Sequence, residues 1–161
     1  MNNTTLPLWL AQHGFNGKDL NAVSASGLTP LMRAARQGDL DKMNVLLQLG
    51  VDITVRNNDG NNALWFACVG EHFDAIALLL ECGINFDNQN DNGATCLMYA
   101  ASTGKDAVVQ TLLAAGANDK LKSLDDFTAL DVAATLDCLQ LLCRTNALSF
   151  RPHGAILGDS K

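Results

Sequence analysis

The chain has 161 residues, 11 Lys+Arg against 17 Asp+Glu, and a formal net charge of −6. With 48% apolar residues it has ample material for a core, which excludes a wholly disordered chain. The acid excess argues against a binder of nucleic acid, which needs clustered Lys/Arg against phosphates, and against a polybasic membrane-surface helix.

In chain order, the first residues, MNNTTLPLWLAQHGF, lack a basic leader and carry only a short apolar stretch, so they do not read as a secretory signal. LPLWLAQHGF is expected to cap one end of the molecule with Leu6, Trp9 and Leu10. From Gly17 onward a fixed period takes over, its step being that from Gly17 to Gly50. One glycine ladder is Gly17, Gly50, Gly83 and Gly116; a second is Gly27, Gly60 and Gly93, with its next rung on Asp126. Leu31, Leu64, Leu97 and Leu130 keep the step, as do Ala34, Ala67, Ala100 and Ala133, and Leu46, Leu79 and Leu112.

One period explains its own structure. In GLTPLMRAARQG (27–38), Thr29 is suited to accept from free amides at a helix start, and Pro30 suits the first turn. Leu31, Ala34 and Ala35 then share one face, and the alanines permit close approach of a neighbour. Gly38 and Asp39 end that helix and start LDKMNVLLQL (40–49), which Gly50 stops in a left-handed turn. VDITVRNNDG reaches out to the next unit, its Asn-Asp-Gly favouring a tight turn; QNDNGAT (89–95) repeats that chemistry. Each unit reads as helix, turn, helix, then a projecting turn or hairpin.

On GLTPLMRAARQGDLDKMNVLLQLGVDI, GNNALWFACVGEHFDAIALLLECGINF and GATCLMYAASTGKDAVVQTLLAAGAND the chain resembles the ankyrin repeat family, over roughly residues 17–143. The resemblance implies an all-α ankyrin-repeat solenoid: stacked helix-turn-helix units with projecting β-turns or hairpins. Its divisions are an N-terminal cap and lead-in (1–23), repeats at 24–56, 57–89 and 90–122, a shortened capping repeat at 123–150, and a tail at 151–161. Glu71 stands where the second repeat should have a glycine, with Gly70 one residue early, so that turn is expected to be rearranged. The fourth unit, DDFTALDVAATLDCLQLLC, lacks both glycines and three residues between its helices, as a terminal cap does. The tail shows no repeat and is expected to be loosely ordered unless Ile156 and Leu157 dock.

The resemblance also implies where recognition occurs: at the turn tips and on one face of each first helix. Matching positions give Arg33, Phe66, Tyr99 and Val132, a second series Arg36, Val69 and Ser102, and tips with Asp59 and Asn61, Asp91 and Ala94, Asp125 and Phe127. With repeats about 10 Å apart, Arg33, Phe66 and Tyr99 form a stripe of about 20 Å flanked by Trp65, in residue types enriched at hot spots. The competing reading is that Trp65 and Phe66 fill the solenoid, and that Asp59 and Asp91 only suit their turns.

The functional expectation is a non-catalytic adaptor, inhibitor or regulatory subunit, cytoplasmic and monomeric, binding one protein partner through the concave face. The residues assigned to that contact are Arg33, Arg36, Asp59, Asn61, Trp65, Phe66, Asp91, Tyr99, Ser102 and Phe127. The alternative is an effector delivered into another cell on the same scaffold. No cofactor, metal, membrane or nucleic acid is expected. Cys68, Cys82, Cys96, Cys138 and Cys143 form no CxxC and read as small buried thiols; His13, His72 and His153 are far apart. Glu71, His72 and Asp74 are the nearest thing to acid–base chemistry, and they fall on an interhelical turn expected to lack a pocket. The charge itself is uneven: +1 over 24–56, −5 over 57–89, 0 over 90–122 and −3 over 123–150.

Overall fold

The computed structural model describes residues 5–149, less the side chains of Asn146, Leu148 and Ser149; the tail expectation lies outside the described residues. Eight helices run in chain order: α1 Leu6–Gln12, α2 Pro30–Gln37, α3 Leu40–Gln48, α4 Ala63–Val69, α5 Phe73–Glu81, α6 Cys96–Ser102, α7 Asp106–Ala114 and α8 Leu136–Ser149. Three helix pairs, α2–α3, α4–α5 and α6–α7, stack side by side. Helix α2 packs on α4, α4 on α6, α3 on α5, and α7 on α8.

The periodic residues build that stack. Leu31, Leu64 and Leu97 are buried, and Ala34, Ala67 and Ala100 are wholly so, as are Met43, Ile76 and Val109 and the series Leu46, Leu79 and Leu112. The small side chains of the first helices allow the close α2–α4–α6 spacing. The larger ones of the second helices each contribute about 1.5–3 kcal/mol of apolar burial. Thr29, Asn62 and Thr95, successive rungs of one ladder, each accept from the amide three residues on (Met32, Trp65 and Met98), so each first helix starts at a fixed residue. At the other end α1 buries Trp9 and Leu10, and Phe15 stacks on the Trp9 ring.

The interhelical turn at Glu71 is not rearranged, contrary to expectation. Gly38 and Gly104 take φ of +66° and +69°, and Glu71 takes +54° in the same register. The side chain is tolerated because it points outward to an ion pair with Lys105 of the next unit. Gly70 serves a different purpose: the His72 ring lies so close that a Cβ at Gly70 or at Gly38 would collide with it. His72 Nε2 meets the Arg36 carbonyl at 3.0 Å, which fastens the second unit to the end of α2.

The fourth unit departs further from helix-turn-helix. Its first helix is replaced by a turn over residues 129–132. In the regular units the second helix begins ten residues after the first (30 to 40, 63 to 73, 96 to 106). Here the turn begins at 129 and α8 at 136, seven residues later, which leaves no room for two helical turns and a reversal. Thr128 still accepts from the amide three residues on, that of Asp131, at 3.4 Å, and its hydroxyl also donates to the Asp131 carboxylate at 2.7 Å. Thr135 then starts α8, accepting from the Cys138 amide at 3.1 Å.

The projecting elements are turns; no strand forms among the described residues. Each is closed by two backbone bonds: one from the amide of Ser24, Asn57, Asn90 or Ser123 to the carbonyl four residues on, and one back to that residue's own carbonyl from Gly27, Gly60, Gly93 or Asp126. The missing fourth glycine of that ladder is made good by Asp126, which takes φ +67° itself. Neighbouring tips are tied by Asp91 N–H to Asp59 O and Leu124 N–H to Asn92 O, each 3.0 Å. Arg56 and Gln89, again one period apart, each donate both to their own tip (Gly60 O, Gly93 O) and to the next unit (Gln89 O, Lys122 O).

Candidate interaction surface

The row of tips and the row of first helices meet at an angle and leave a concave face between them. Between the third and fourth units this face holds a groove of about 260 Å³. Trp65, Met98 and Tyr99 line it from α4 and α6, Val132 from the turn that replaces a helix, and Asp125 and Phe127 from the last tip. The Trp65 and Tyr99 rings lie 5.0 Å apart and tilted by 42°, and both are half-buried. Phe127 is 52% exposed, a large apolar ring held at the mouth.

The expected residues divide into those that gather here and those that do not. Trp65, Tyr99, Ser102 and Phe127 line the groove. Ser102 spends its hydroxyl hydrogen on the Tyr99 carbonyl at 2.9 Å, so it presents an acceptor. Phe66 does not join them. It faces the core and is 8% exposed, which breaks the Arg33–Phe66–Tyr99 stripe. On the α4 face, Trp65 has the outward place and Phe66 the inward one; on α6, Met98 is buried and Tyr99 half-buried. Asn61 is also buried: its side-chain oxygen accepts from Asn90 and so joins two tips.

Arg33 and Arg36 stay at the far end. Arg33 Nη2 donates to Ser26 of its own tip at 2.9 Å, and its Nε is buried without a partner among the described residues. Arg36 is exposed on the last turn of α2. Asp91 is paired with Arg56 at 3.3 Å, while Asp59 accepts only from Asn57 among side chains of the described residues. Met98 also lines the groove, as do Val132 and Asp125, which match recognition positions but were left out of the assigned contact, and Asn92, Ala94 and Ser123 complete it. The signal was present, since Met98, Val132 and Asp125 each lie one period beyond another concave-face position, Trp65, Tyr99 and Asn92 in turn.

Elsewhere the chemistry-bearing groups are engaged. A shallow depression of about 270 Å³, which the sequence did not lead us to expect, lies over Glu71, His72 and Asp74. Its Glu71 carboxylate is held by Lys105 and its His72 ring by the Arg36 carbonyl. Cys68, Cys96 and Cys138 are buried, but Cys82 and Cys143 are exposed, contrary to expectation, because they fall at a helix end and on the outer face of α8. A hydrogen bond with Cys68 and deep burial push the Cys96 thiol well above its ordinary range. Among the described residues no cluster of three His, Cys, Asp or Glu could hold a metal ion, and no helix is long and apolar enough to cross a membrane.

Comparison with known proteins accords with this geometry. The family described as ankyrin repeats (3 copies) matches at residues 2–90, 31–123 and 82–150. The potassium channel AKT2/3 of Arabidopsis thaliana is 42% identical over 50 residues, 31% of this chain and 6% of the channel. The ankyrin repeat-containing protein P1E11.10 of Schizosaccharomyces pombe is 32% identical over 78 residues, 42% of this chain and 37% of that protein. The chain thus spans well under half the length of either relative. Among solved structures, the ankyrin repeat domain of Bcl-3, a member of the IkappaB protein family, superposes with a TM-score of 0.74 at 28% identity, over 84% of this chain and 61% of that one.

Proposed function

This chain belongs to the ankyrin repeat family, and on that premise we propose that it is a non-catalytic interaction module that holds one protein partner in its concave face. It acts in the cytoplasm as a monomeric adaptor, inhibitor or regulatory subunit. Repeats of this family are generally protein-interaction modules, and the likeness to an ankyrin domain of the IkappaB family supports a regulatory role.

One observation carries the reading. The sequence period buries nearly every large apolar side chain of the first helices, yet Trp65 and Tyr99 stay half-buried, tilted against each other and open to the groove. Large side chains with few rotamers, held rigid before contact, lose little entropy on binding. Arg36 and Asp59 lie outside the groove and provide a flanking rim.

The test is affinity capture from lysate of the source cell with the native chain and with Trp65→Ala and Tyr99→Ala. Each variant is expected to lose about tenfold or more of the partner's affinity while its thermal midpoint stays within a few degrees. Undiminished capture of the same partner by both variants rejects this face as the binding site.

A further inference from the structure

We propose that the groove seats a cationic side chain, arginine in particular, carried on an extended segment of the partner. This rests on the reading that the concave face binds a protein, and it adds the chemistry that the face selects.

The floor supplies the first reason. The Trp65 and Tyr99 rings are tilted together at 5.0 Å, and neither the indole N–H nor the phenol is hydrogen-bonded within the described residues. Aromatic faces carry negative charge density and attract a cation held within about 6 Å. A guanidinium, planar and weakly hydrated, stacks on such a surface better than an ammonium does.

The charge of the rim supplies the second. The cations on the tips are already committed: Arg56 to Asp91 at 3.3 Å and Lys122 to Asp126 at 2.9 Å. Asp125 lines the groove and has neither an ion pair nor a side-chain hydrogen bond among the described residues. Asp59, two tips away, has no ion pair there either. The groove therefore presents uncompensated negative charge beside an aromatic floor. An acidic segment would meet repulsion here, because Arg36, the exposed cation of the flanking rim, lies at the far end of the face.

Size supplies the third. A volume of about 260 Å³ falls short of the roughly 300–1,000 Å³ of sites that enclose small molecules. It suits one long side chain entering from a backbone that lies across the tips. Met98, Val132 and Phe127 offer apolar walls to the methylene stem, while the charged end meets Asp125.

The probe is a set of four nonapeptide pools, degenerate except for a central Arg, Lys, Gln or Glu. They are titrated into the isotope-labelled full chain while the indole resonance of Trp65 is followed, assigned through Trp65→Phe. The Arg pool is expected to shift that resonance at concentrations about tenfold below the Gln pool, an advantage that shrinks as salt rises. Asp125→Asn, at an exposed tip residue with no side-chain partner among the described residues, should remove most of the advantage. Tyr99→Ala should abolish the shift. An Arg pool no better than Gln, or an advantage that survives both substitutions, overturns the proposal. If the Gln or Glu pool binds best and still depends on Tyr99, the cationic chemistry is wrong and the concave-face reading stands. If no pool gives a Tyr99-dependent shift, both fall.

Discussion

The second and fourth units occupy the same scaffold and are stabilised by different means. The second is covered on both sides: α4 packs between α2 and α6, and Leu64, Ala67, Ile76 and Leu79 are sealed from solvent. Among the described residues the fourth is covered on one side only, with no first helix, and Leu124 and Leu136 are each 77% exposed. What it lacks in packing it replaces with side-chain and backbone hydrogen bonds to the unit before it. The Thr135 hydroxyl and the Cys138 thiol both donate to the Asp106 carboxylate, and the Ala134 amide donates to the Ala101 carbonyl at 2.9 Å. In a solenoid, stability is close to a sum of units and nearest-neighbour interfaces. The interior unit should therefore govern the whole array, and the terminal unit chiefly itself.

The largest expected effect tests that difference directly. Leu79→Ala removes a wholly buried side chain between two neighbours and should cost about 2–5 kcal/mol. It should lower the urea midpoint of every probe together. Leu142→Ala, equally buried but in the terminal unit, should cost less. Its increase in amide exchange should be confined to α8 and the adjoining face of α7. Equal global losses from the two would show that the array does not behave as coupled units.

Next comes the contact that fastens the second unit to the first. Gly38→Ala places a Cβ against the His72 ring, at a residue with φ +66°. Left-handed backbone alone costs a side chain about 1–2 kcal/mol, and the collision adds to it. In a His72→Ala background the collision term disappears while the backbone term remains. The double-mutant cycle should thus give a coupling of roughly 0.5–3 kcal/mol; a cycle that closes to zero would show that the ring does not bear on Gly38.

A third substitution concerns the glycine that the second unit lacks. Glu71→Gly relieves about 1 kcal/mol of backbone strain at φ +54°. It also gives up the pair with Lys105, whose side chain is only 17% exposed. Partly exposed pairs are worth about 0–1 kcal/mol, so the net should lie between neutral and about 1 kcal/mol stabilising. Lys105→Met alone should destabilise. A Glu71→Gly variant clearly less stable than the native chain would mean that the ion pair outweighs the strain.

The same contrast explains what could be read from the residues. The helix pairs and tips were legible because identity and period coincide: Leu64 or Ala67 can be placed from Leu31 and Ala34 by advancing one period. At the concave face the residues vary, and the period says where a position lies but not which way a side chain turns. Trp65 and Phe66 are neighbours of similar size and apolarity, and packing against α2 and α6 decided which was buried. Asn61 was read as a tip residue free to recognise something. Its burial arises from a bond to Asn90, which only the approach of two tips creates. Glu71 and Asp126 show the converse limit. At Glu71 a missing glycine suggested a changed backbone, yet there and at Asp126 the left-handed turn was kept and the side chain adapted.

The smallest effect tests how the terminal unit is attached. Hydrogen bonds from Cys138 and then Thr135 hold the Asp106 carboxyl below its ordinary range. Burial and the adjacent carboxylate push the Cys138 thiol up, so the thiol keeps its hydrogen and remains the donor. The folded-state pKa of Asp106 is thus lower than that of the unfolded chain, about 3.9. Its stabilising contribution is complete above that value and is lost as pH falls through the lowered folded value. Near neutral pH the attachment of α8 should be insensitive to acid. Below about pH 4 amide exchange in α8 should rise before that of α4 and α5. Asp106→Asn should reproduce the local loosening at pH 7, because an amide oxygen accepts more weakly than a carboxylate, and should make α8 exchange less dependent on acid. Opening of α8 that tracks the second unit at every pH, in both proteins, would mean that the last unit is held by the stack and not by this carboxylate.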